Sequence, residues 1–233
     1  MTSPITPHQT RYEIKTVVPI HRIPDFQHRL EMHPAAFRIT YPDRRINNIY
    51  FDDHQLSSYQ DNLIGTANRE KLRLRWYGET GEPKQAVMEL KAKKNKLGWK
   101  KRAAIDLNDI PLQGLPIDEL TSRLKDRLPP DLRLKLELRD CPVTYNRYRR
   151  SYFEDATGLI RLTLDKDLAF QDLQVKTRLT FDDCQTCEGF GILEIKFSSM
   201  DDLAGIDVIR DLDLRMTKFS KYVFGLRKET VLG

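Results

Sequence analysis

Apolar and polar residues alternate along much of this chain with a period of two. Arg11-Tyr12-Glu13-Ile14-Lys15 does so, as do Lys71-Leu72-Arg73-Leu74-Arg75-Trp76 and residues 85–91. Residues 132–139, Leu-Arg-Leu-Lys-Leu-Glu-Leu-Arg, alternate through four repeats. Successive side chains of a strand point to opposite faces, so this pattern predicts half-exposed strands. Further strands are expected over 46–51, 98–105, 143–152, 159–164, 175–181 and 190–197, making about ten. Helical spacing is rarer. Short helices are expected over 24–31, 55–62, 117–128, 201–211 and 217–226. In the third of these, Ile117, Leu120, Leu124 and Leu128 recur at helical intervals, and Pro129-Pro130 ends the run. The class is α+β, built on a large antiparallel sheet or barrel with helices outside. No Gly/Ser linker and no repeat of fixed period breaks the chain, so residues 1–233 read as one domain.

The polar positions of these strands are chiefly ionised. They are Glu13, Lys15, Arg73, Arg75, Glu89, Lys91, Arg133, Lys135, Glu137, Arg139, Arg161, Glu194 and Lys196. Two arrangements account for them. In one, the charges are a solvated sheet face that protects its edges. In the other, the sheet closes and turns them inward, because side chains of a barrel alternate inside and outside. A lumen lined by Lys and Arg repels itself unless an anion fills it. Interleaved Glu residues offset that repulsion and supply oxygen ligands for a divalent cation. The acidic residues share strands with the basic ones, and many aromatics, such as Tyr50, Phe51, Trp76 and Phe197, sit in strand patterns expected to be packed. This favours a compact triphosphate-like ligand over nucleic acid, which asks for stacking aromatics on a net-basic face.

Composition narrows the picture further. Lys and Arg number 39 against 34 Asp and Glu, so the net charge is only +5 and placement matters more than the sum. No apolar run approaches the roughly 20 residues of a membrane helix. The first residues lack a signal-peptide layout, so a soluble, cytoplasmic protein is expected. Three cysteines make no disulfide framework, and Cys184-Gln-Thr-Cys187 is a lone CxxC read as a turn between strands. There is no P-loop, no GxGxxG, no GxSxG and no HExxH.

Seven motifs follow one another in a telling order. They are Arg11-Tyr-Glu13-Ile-Lys15, Lys71-Leu-Arg73-Leu-Arg75, Met88-Glu89-Leu90-Lys91, Tyr145-Asn146-Arg147-Tyr148, Ile160-Arg161, Leu193-Glu194-Ile195-Lys196 and Lys218-Phe219-Ser220-Lys221-Tyr222. Together they resemble the VTC domain, the polyphosphate polymerase branch of the triphosphate tunnel metalloenzymes, from about residue 10 to about 226. The resemblance implies a closed, eight-stranded antiparallel β-barrel forming a tunnel, with peripheral helices. It implies phosphate contacts from Lys15, Arg73, Arg75, Lys91, Arg147, Arg161 and Lys196 on strands, and from Lys218 and Lys221 on the C-terminal helix. It implies a further phosphate contact from Lys101, or from Lys100 beside it. Glu194, with Glu13, is the implied metal-binding set for Mn²⁺ or Mg²⁺. Arg149-Arg150 is expected outside the site, since alternation from Arg147 turns only one of them inward.

The implied reaction moves the terminal phosphate of ATP onto inorganic polyphosphate. Hydrolytic members of the superfamily carry ExExK on the first strand, and Arg11 replaces the first Glu here. That suits polymer synthesis better than hydrolysis, with Glu89 and Glu137 as possible secondary carboxylates. The alternatives on the same tunnel are an inorganic tripolyphosphatase or nucleoside triphosphatase, and a non-catalytic polyphosphate or nucleotide sensor. Eukaryotic relatives carry an added N-terminal domain and membrane helices, neither of which is read here.

Overall fold

The computed structural model describes residues 12–95, 97–197 and 203–227. Arg11 and the first two residues of the helix expected over 201–211 lie outside these. The strands are β1 (Tyr12–Pro19), β2 (Arg38–Asp52), β3 (Asn68–Tyr77), β4 (Gln85–Lys94), β5 (Leu97–Asp106), β6 (Cys141–Glu154), β7 (Arg161–Asp172), β8 (Gln185–Cys187) and β9 (Phe190–Phe197). The helices are α1 (Ile23–Glu31), α2 (Ser57–Ile64), α3 (Ile117–Lys125), α4 (Pro130–Glu137), α5 (Leu203–Asp211) and α6 (Lys221–Leu226), with a 3₁₀ turn at Ile20–Arg22. The α+β class expected from the sequence is therefore observed.

The strands make one nine-stranded sheet in the order β1-β9-β7-β6-β2-β3-β4-β5, with β8 added beside β7. This corrects the expected closed eight-stranded barrel. Among the described residues β1 pairs only with β9 and β5 only with β4, so the sheet is not closed. Alternation fixes which residues share a face and is silent on whether two edges meet.

Two other expectations fail for local reasons. Residues 132–139 are not a strand; most of them form α4. Leu at every second position also places Leu132 and Leu136 one helical turn apart, and both are fully buried, while Leu134 and Leu138 are exposed. Pro130 sits in the first turn, where it costs no hydrogen bond, and Arg133 pairs with Glu137 at 3.0 Å across i,i+4. Residues 175–181 are irregular, with Leu179 and Phe181 buried as single anchors and one bridge from Arg178 to Pro116.

The chain divides into two compact units. The first comprises Met1–Asp43, Arg150–Lys166 and Glu188–Phe219; the second comprises Arg44–Arg149, Asp167–Cys187 and Ser220–Gly233. In the first, the apolar faces of β9 and β7 (Leu193, Ile195, Phe197, Leu162, Leu164) are covered by Ile23, Phe26 and Leu30 of α1 and by Val208 of α5. In the second, Leu72, Leu74 and Trp76 of β3 and Met88 and Leu90 of β4 pack with Leu120 and Leu124 of α3 and Leu132 and Leu136 of α4. Each fully buried Leu side chain contributes about 1.5–3 kcal/mol of transfer free energy. In both units the helices cover one sheet face, which leaves most of the ionised strand positions on the other.

Candidate functional site

In the second unit the strand register stacks charges into rows. Residues directly opposite on neighbouring antiparallel strands project from the same face. Lys71, Lys91 and Lys100 form one row across β3, β4 and β5. Arg73, Glu89 and Arg102 form the next. β2 sets Tyr50 opposite Arg73 and Asn48 opposite Arg75.

Glu89 is the centre of this face. The residue is only 3% exposed. It accepts from Arg73 Nη2 at 2.9 Å and lies 3.7 Å from Arg75 and 3.6 Å from Arg102. Burial alone raises a carboxyl, but Arg73 and Arg75 outweigh it and hold Glu89 at about 2. Burial likewise opposes the Arg73 guanidinium, and Tyr50 and Glu89 overcome that and raise it. Arg73 Nη1 donates to Tyr50 Oη at 3.0 Å. Arg75 Nε donates to Asn48 Oδ1 at 2.9 Å, and Asn48 Nδ2 donates to Asn146 Oδ1 at 2.9 Å. Tyr148 Oη accepts from Arg75 Nη2 at 3.3 Å. The guanidiniums are thus fixed in place. The Nδ2 of Asn146 is buried with no hydrogen-bond partner among the described residues. A buried donor left over on a cationic face suits an anionic oxygen.

Helix α6 borders the same face. Lys71 Nζ donates to Ser220 Oγ at 2.9 Å, and Lys221 Nζ stands 4.6 Å from the centre of the Tyr148 ring. Tyr222 stacks on Tyr50 and donates its hydroxyl to buried Asp52. Asp52 also accepts the backbone N–H groups of Ser58 and Tyr59 at the start of α2.

The first unit carries a second charged face. Lys196 of β9 lies between Glu13 of β1 and Arg161 of β7. Glu194 lies between Lys15 and Thr163. Lys15 Nζ is 2.9 Å from Glu13 and 3.7 Å from Glu194, and Lys196 pairs with Glu194. Burial works against the Glu194 charge, but Lys15, Lys196 and Arg150 hold its carboxyl well below the usual range. Arg150 grips Asp165 bidentately at 2.5 and 2.7 Å. Arg161 pairs with Glu154 at 3.2 Å.

The register therefore sorts the candidate residues. Arg73, Arg75 and Lys91 share the face of the second unit, and Lys221 borders it. Lys15, Glu13, Arg161, Glu194 and Lys196 share that of the first. Three residues depart from expectation. Arg147 falls on the opposite face of β6, beside Tyr145, whose hydroxyl donates to Asn47. Lys101 is turned away from Lys91 and pairs with Asp131 of α4. Lys218 is exposed in the segment before α6, so it and Lys221 are not neighbours on one helix. Lys100, the alternative to Lys101, lies on the face of the second unit, as do Arg102, Asn146 and Tyr148, for which no role was expected, whereas Arg150, expected outside the site, acts on Glu194 and grips Asp165 in the first unit. Asn146, Tyr148 and Arg150 alternate along β6, a signal present in the sequence but readable in either phase. Glu137 is on α4 and paired with Arg133, which removes it as a secondary carboxylate.

The VTC domain model matches residues 10–229. The chain belongs to the VTC domain family. That family is part of the triphosphate tunnel metalloenzyme superfamily, so this VTC domain belongs among proteins acting on phosphates, which generally use divalent metals and nucleoside triphosphates. No curated protein matches the chain. Among solved structures it is similar to a candidate adenylate cyclase from Vibrio parahaemolyticus, at 13% identity and a TM-score of 0.48, covering 92% of this chain and 97% of that one. It is also similar to a Pyrococcus horikoshii protein at 13% identity and a TM-score of 0.47, covering 92% and 94%. Among the described residues, no helix of this VTC domain is long and apolar enough to cross a membrane.

The donor set of the first unit fits a hard divalent cation. Glu13 and Glu194 offer only oxygen, and Mg²⁺-type ions bind through one or two carboxylates and keep waters or phosphate oxygens as further ligands. The ammonium of Lys15 already stands between the two carboxylates. Thr163, opposite Glu194, has a buried hydroxyl with no hydrogen-bond partner among the described residues. Cys184 and Cys187 do not take part. Both are half-buried free thiols, and burial pushes both up.

Proposed function

We propose that this VTC domain is a phosphotransferase that moves the terminal phosphate of ATP onto a growing inorganic polyphosphate chain, with Mn²⁺ or Mg²⁺. The observation that carries this reading is the in-register grid of cations on β3, β4 and β5. Lys71, Lys91 and Lys100 stand directly opposite one another. Like charges so placed oppose folding. An anion with charge on every phosphate turns that opposition into attraction. In the next row, Arg73 and Arg102 present planar forks suited to phosphate oxygens. Lys221 adds a further point charge from α6.

Phosphoryl transfer asks chiefly for in-line positioning and charge neutralisation. The terminal oxygen of polyphosphate is already anionic at neutral pH, so no general base is needed. It attacks the γ-phosphorus of ATP. The new P–O bond forms as the bond to the β–γ bridging oxygen breaks, and ADP leaves with the electron pair. Glu194 and Glu13 would hold the divalent ion, which would supply charge neutralisation to bound phosphate. Lys15 and Lys196, now tied to Glu194, would then turn to phosphate, as would Arg161.

The test is incubation with ATP and Mn²⁺. Long acid-labile phosphate polymer, formed in step with ADP, is the expected product. Orthophosphate alone would assign a triphosphatase. Tight tripolyphosphate binding without turnover would assign a sensor. Either outcome overturns the polymerase reading.

A further inference from the structure

Away from its charged face, the second unit holds a cluster of different chemistry. His54 lies between β2 and α2, and Asp140 and Cys141 lie where β6 begins. Cys141 Sγ is 3.3 Å from His54 Nδ1, 3.5 Å from His54 Nε2 and 3.5 Å from Asp140 Oδ1. One ligand atom from each of the three residues falls within 4.8 Å of the others. His54 and Asp140 are exposed and Cys141 is half-buried, so an ion can reach them. All three line a cavity of about 690 Å³, which Asp53, Asp118 and Glu137 also line.

We propose that His54, Asp140 and Cys141 form a binding site for a borderline divalent cation of the Zn²⁺ type, with one coordination position open to this cavity. Thiolate, imidazole and carboxylate are the donors Zn²⁺ takes, and three protein ligands plus an open position is a recurrent zinc arrangement. The spacing fits. Bonds of about 2.3 Å to sulfur and about 2.0–2.2 Å to nitrogen or oxygen, at tetrahedral angles, set ligand atoms roughly 3.6 Å apart. The observed separations from sulfur are 3.3–3.5 Å.

The ligands are also held from behind. Asp53 accepts the backbone N–H groups of Gln55 and Ser57, both at 3.0 Å, which fixes the loop carrying His54. Thr121 donates its hydroxyl to the Asp140 carbonyl at 2.7 Å, which fixes the other side. The site is chemically distinct from Glu13 and Glu194, whose oxygens suit Mg²⁺ or Mn²⁺. It stands whether or not the chain makes polyphosphate.

The test uses the full chain, reduced and stripped of metal, titrated with Zn²⁺ against a chromophoric competitor, and with Co²⁺ followed by absorption. One Zn²⁺ per chain and a thiolate-to-cobalt charge-transfer band are expected. His54→Ala and Cys141→Ser should each weaken Zn²⁺ by at least about 100-fold, more than the 10–100-fold that loss of an outer-shell partner brings. Cys184→Ser/Cys187→Ser and Glu194→Gln should leave it unchanged. Failure to bind, unchanged affinity in His54→Ala and Cys141→Ser, or loss of binding in the Cys184/Cys187 double variant would each overturn the assignment.

Discussion

Arg73 and Glu89 stand directly opposite each other on β3 and β4, with Nη2 2.9 Å from Oε2. Arg75 and Arg102 also lie within 4 Å of the same carboxylate. One buried anion therefore holds three guanidiniums in place, and its removal is the most direct probe of the face. Glu89→Gln keeps the shape and deletes the charge. Removing one partner of a buried ion pair costs about 3–5 kcal/mol, because the other charge is left uncompensated. Urea unfolding should show a loss of this size. Saturating tripolyphosphate should restore more stability to the variant than it adds to the wild type. No such difference would remove this face from ligand binding.

The same carboxylate sets a pH dependence. Glu89 titrates near 4.5 without its partners and at about 2 within the fold. A depressed value means its stabilisation is complete above pH 4.5 and drains away as pH falls from 4.5 towards 2. At 1.36 kcal/mol per unit, the whole contribution is about 3 kcal/mol. Glu194 acts in the same direction. In acid titrations followed by circular dichroism, Glu89→Gln should lose part of the wild-type slope in this window. An identical slope would show that Glu89 is not held by its arginines.

Gly225 of α6 tests the role of that helix. A Cβ there would meet Phe170 Cδ1 and Thr144 Oγ1, each at 2.8 Å. Gly225→Ala should therefore lift α6, and Lys221 with it. Overpacking costs about 1–3 kcal/mol, against the ~1 kcal/mol that Ala gains over Gly in a helix. Calorimetric titration should show weaker tripolyphosphate binding. Unchanged affinity would place Lys221 outside the phosphate contacts.

Glu194→Gln separates metal from phosphate binding. Mn²⁺-dependent turnover should fall by about 100-fold or more, the scale seen when one electrostatic stabiliser is removed. Mn²⁺ affinity, read by electron paramagnetic resonance, should fall with it. Wild-type Mn²⁺ affinity in this variant would exclude Glu194 as a ligand.

The two faces of β6 predict opposite outcomes for two nearby arginines. Arg147→Ala should leave tripolyphosphate affinity within about twofold, as for substitutions away from a site. Arg150→Ala removes the bidentate grip on buried Asp165 and should cost about 3–5 kcal/mol of stability. A large loss of affinity in Arg147→Ala would reverse the assignment of faces.

How much of this was legible depended on what local pattern can encode. Residues 190–197 read as a strand and are β9, because Glu194 and Lys196 alternate against a continuous apolar set. Residues 132–139 misled, since Leu at every second position satisfies a strand and also supplies Leu132 and Leu136 to a helix. The phase of β6 could not be read locally. It is set by Asn48 and Arg75, which meet Asn146 and Tyr148 from far away in sequence. The His54–Cys141 contact spans 87 positions and leaves no spacing motif. Sheet closure was implied by resemblance alone, and the strand order departs from it.

The Glu89 cluster has one further consequence. A ligand approaching this face does not meet bare positive charge, because Arg73, Arg75 and Arg102 are already engaged. It must compete with an internal anion that is covalently present and never diluted. A single phosphate competes one contact at a time. A chain of phosphates engages several cations at once, and each attachment raises the local concentration of the next group. If the face binds phosphate as proposed, it would set a threshold, ranking polyanions by length before any bond is made or broken.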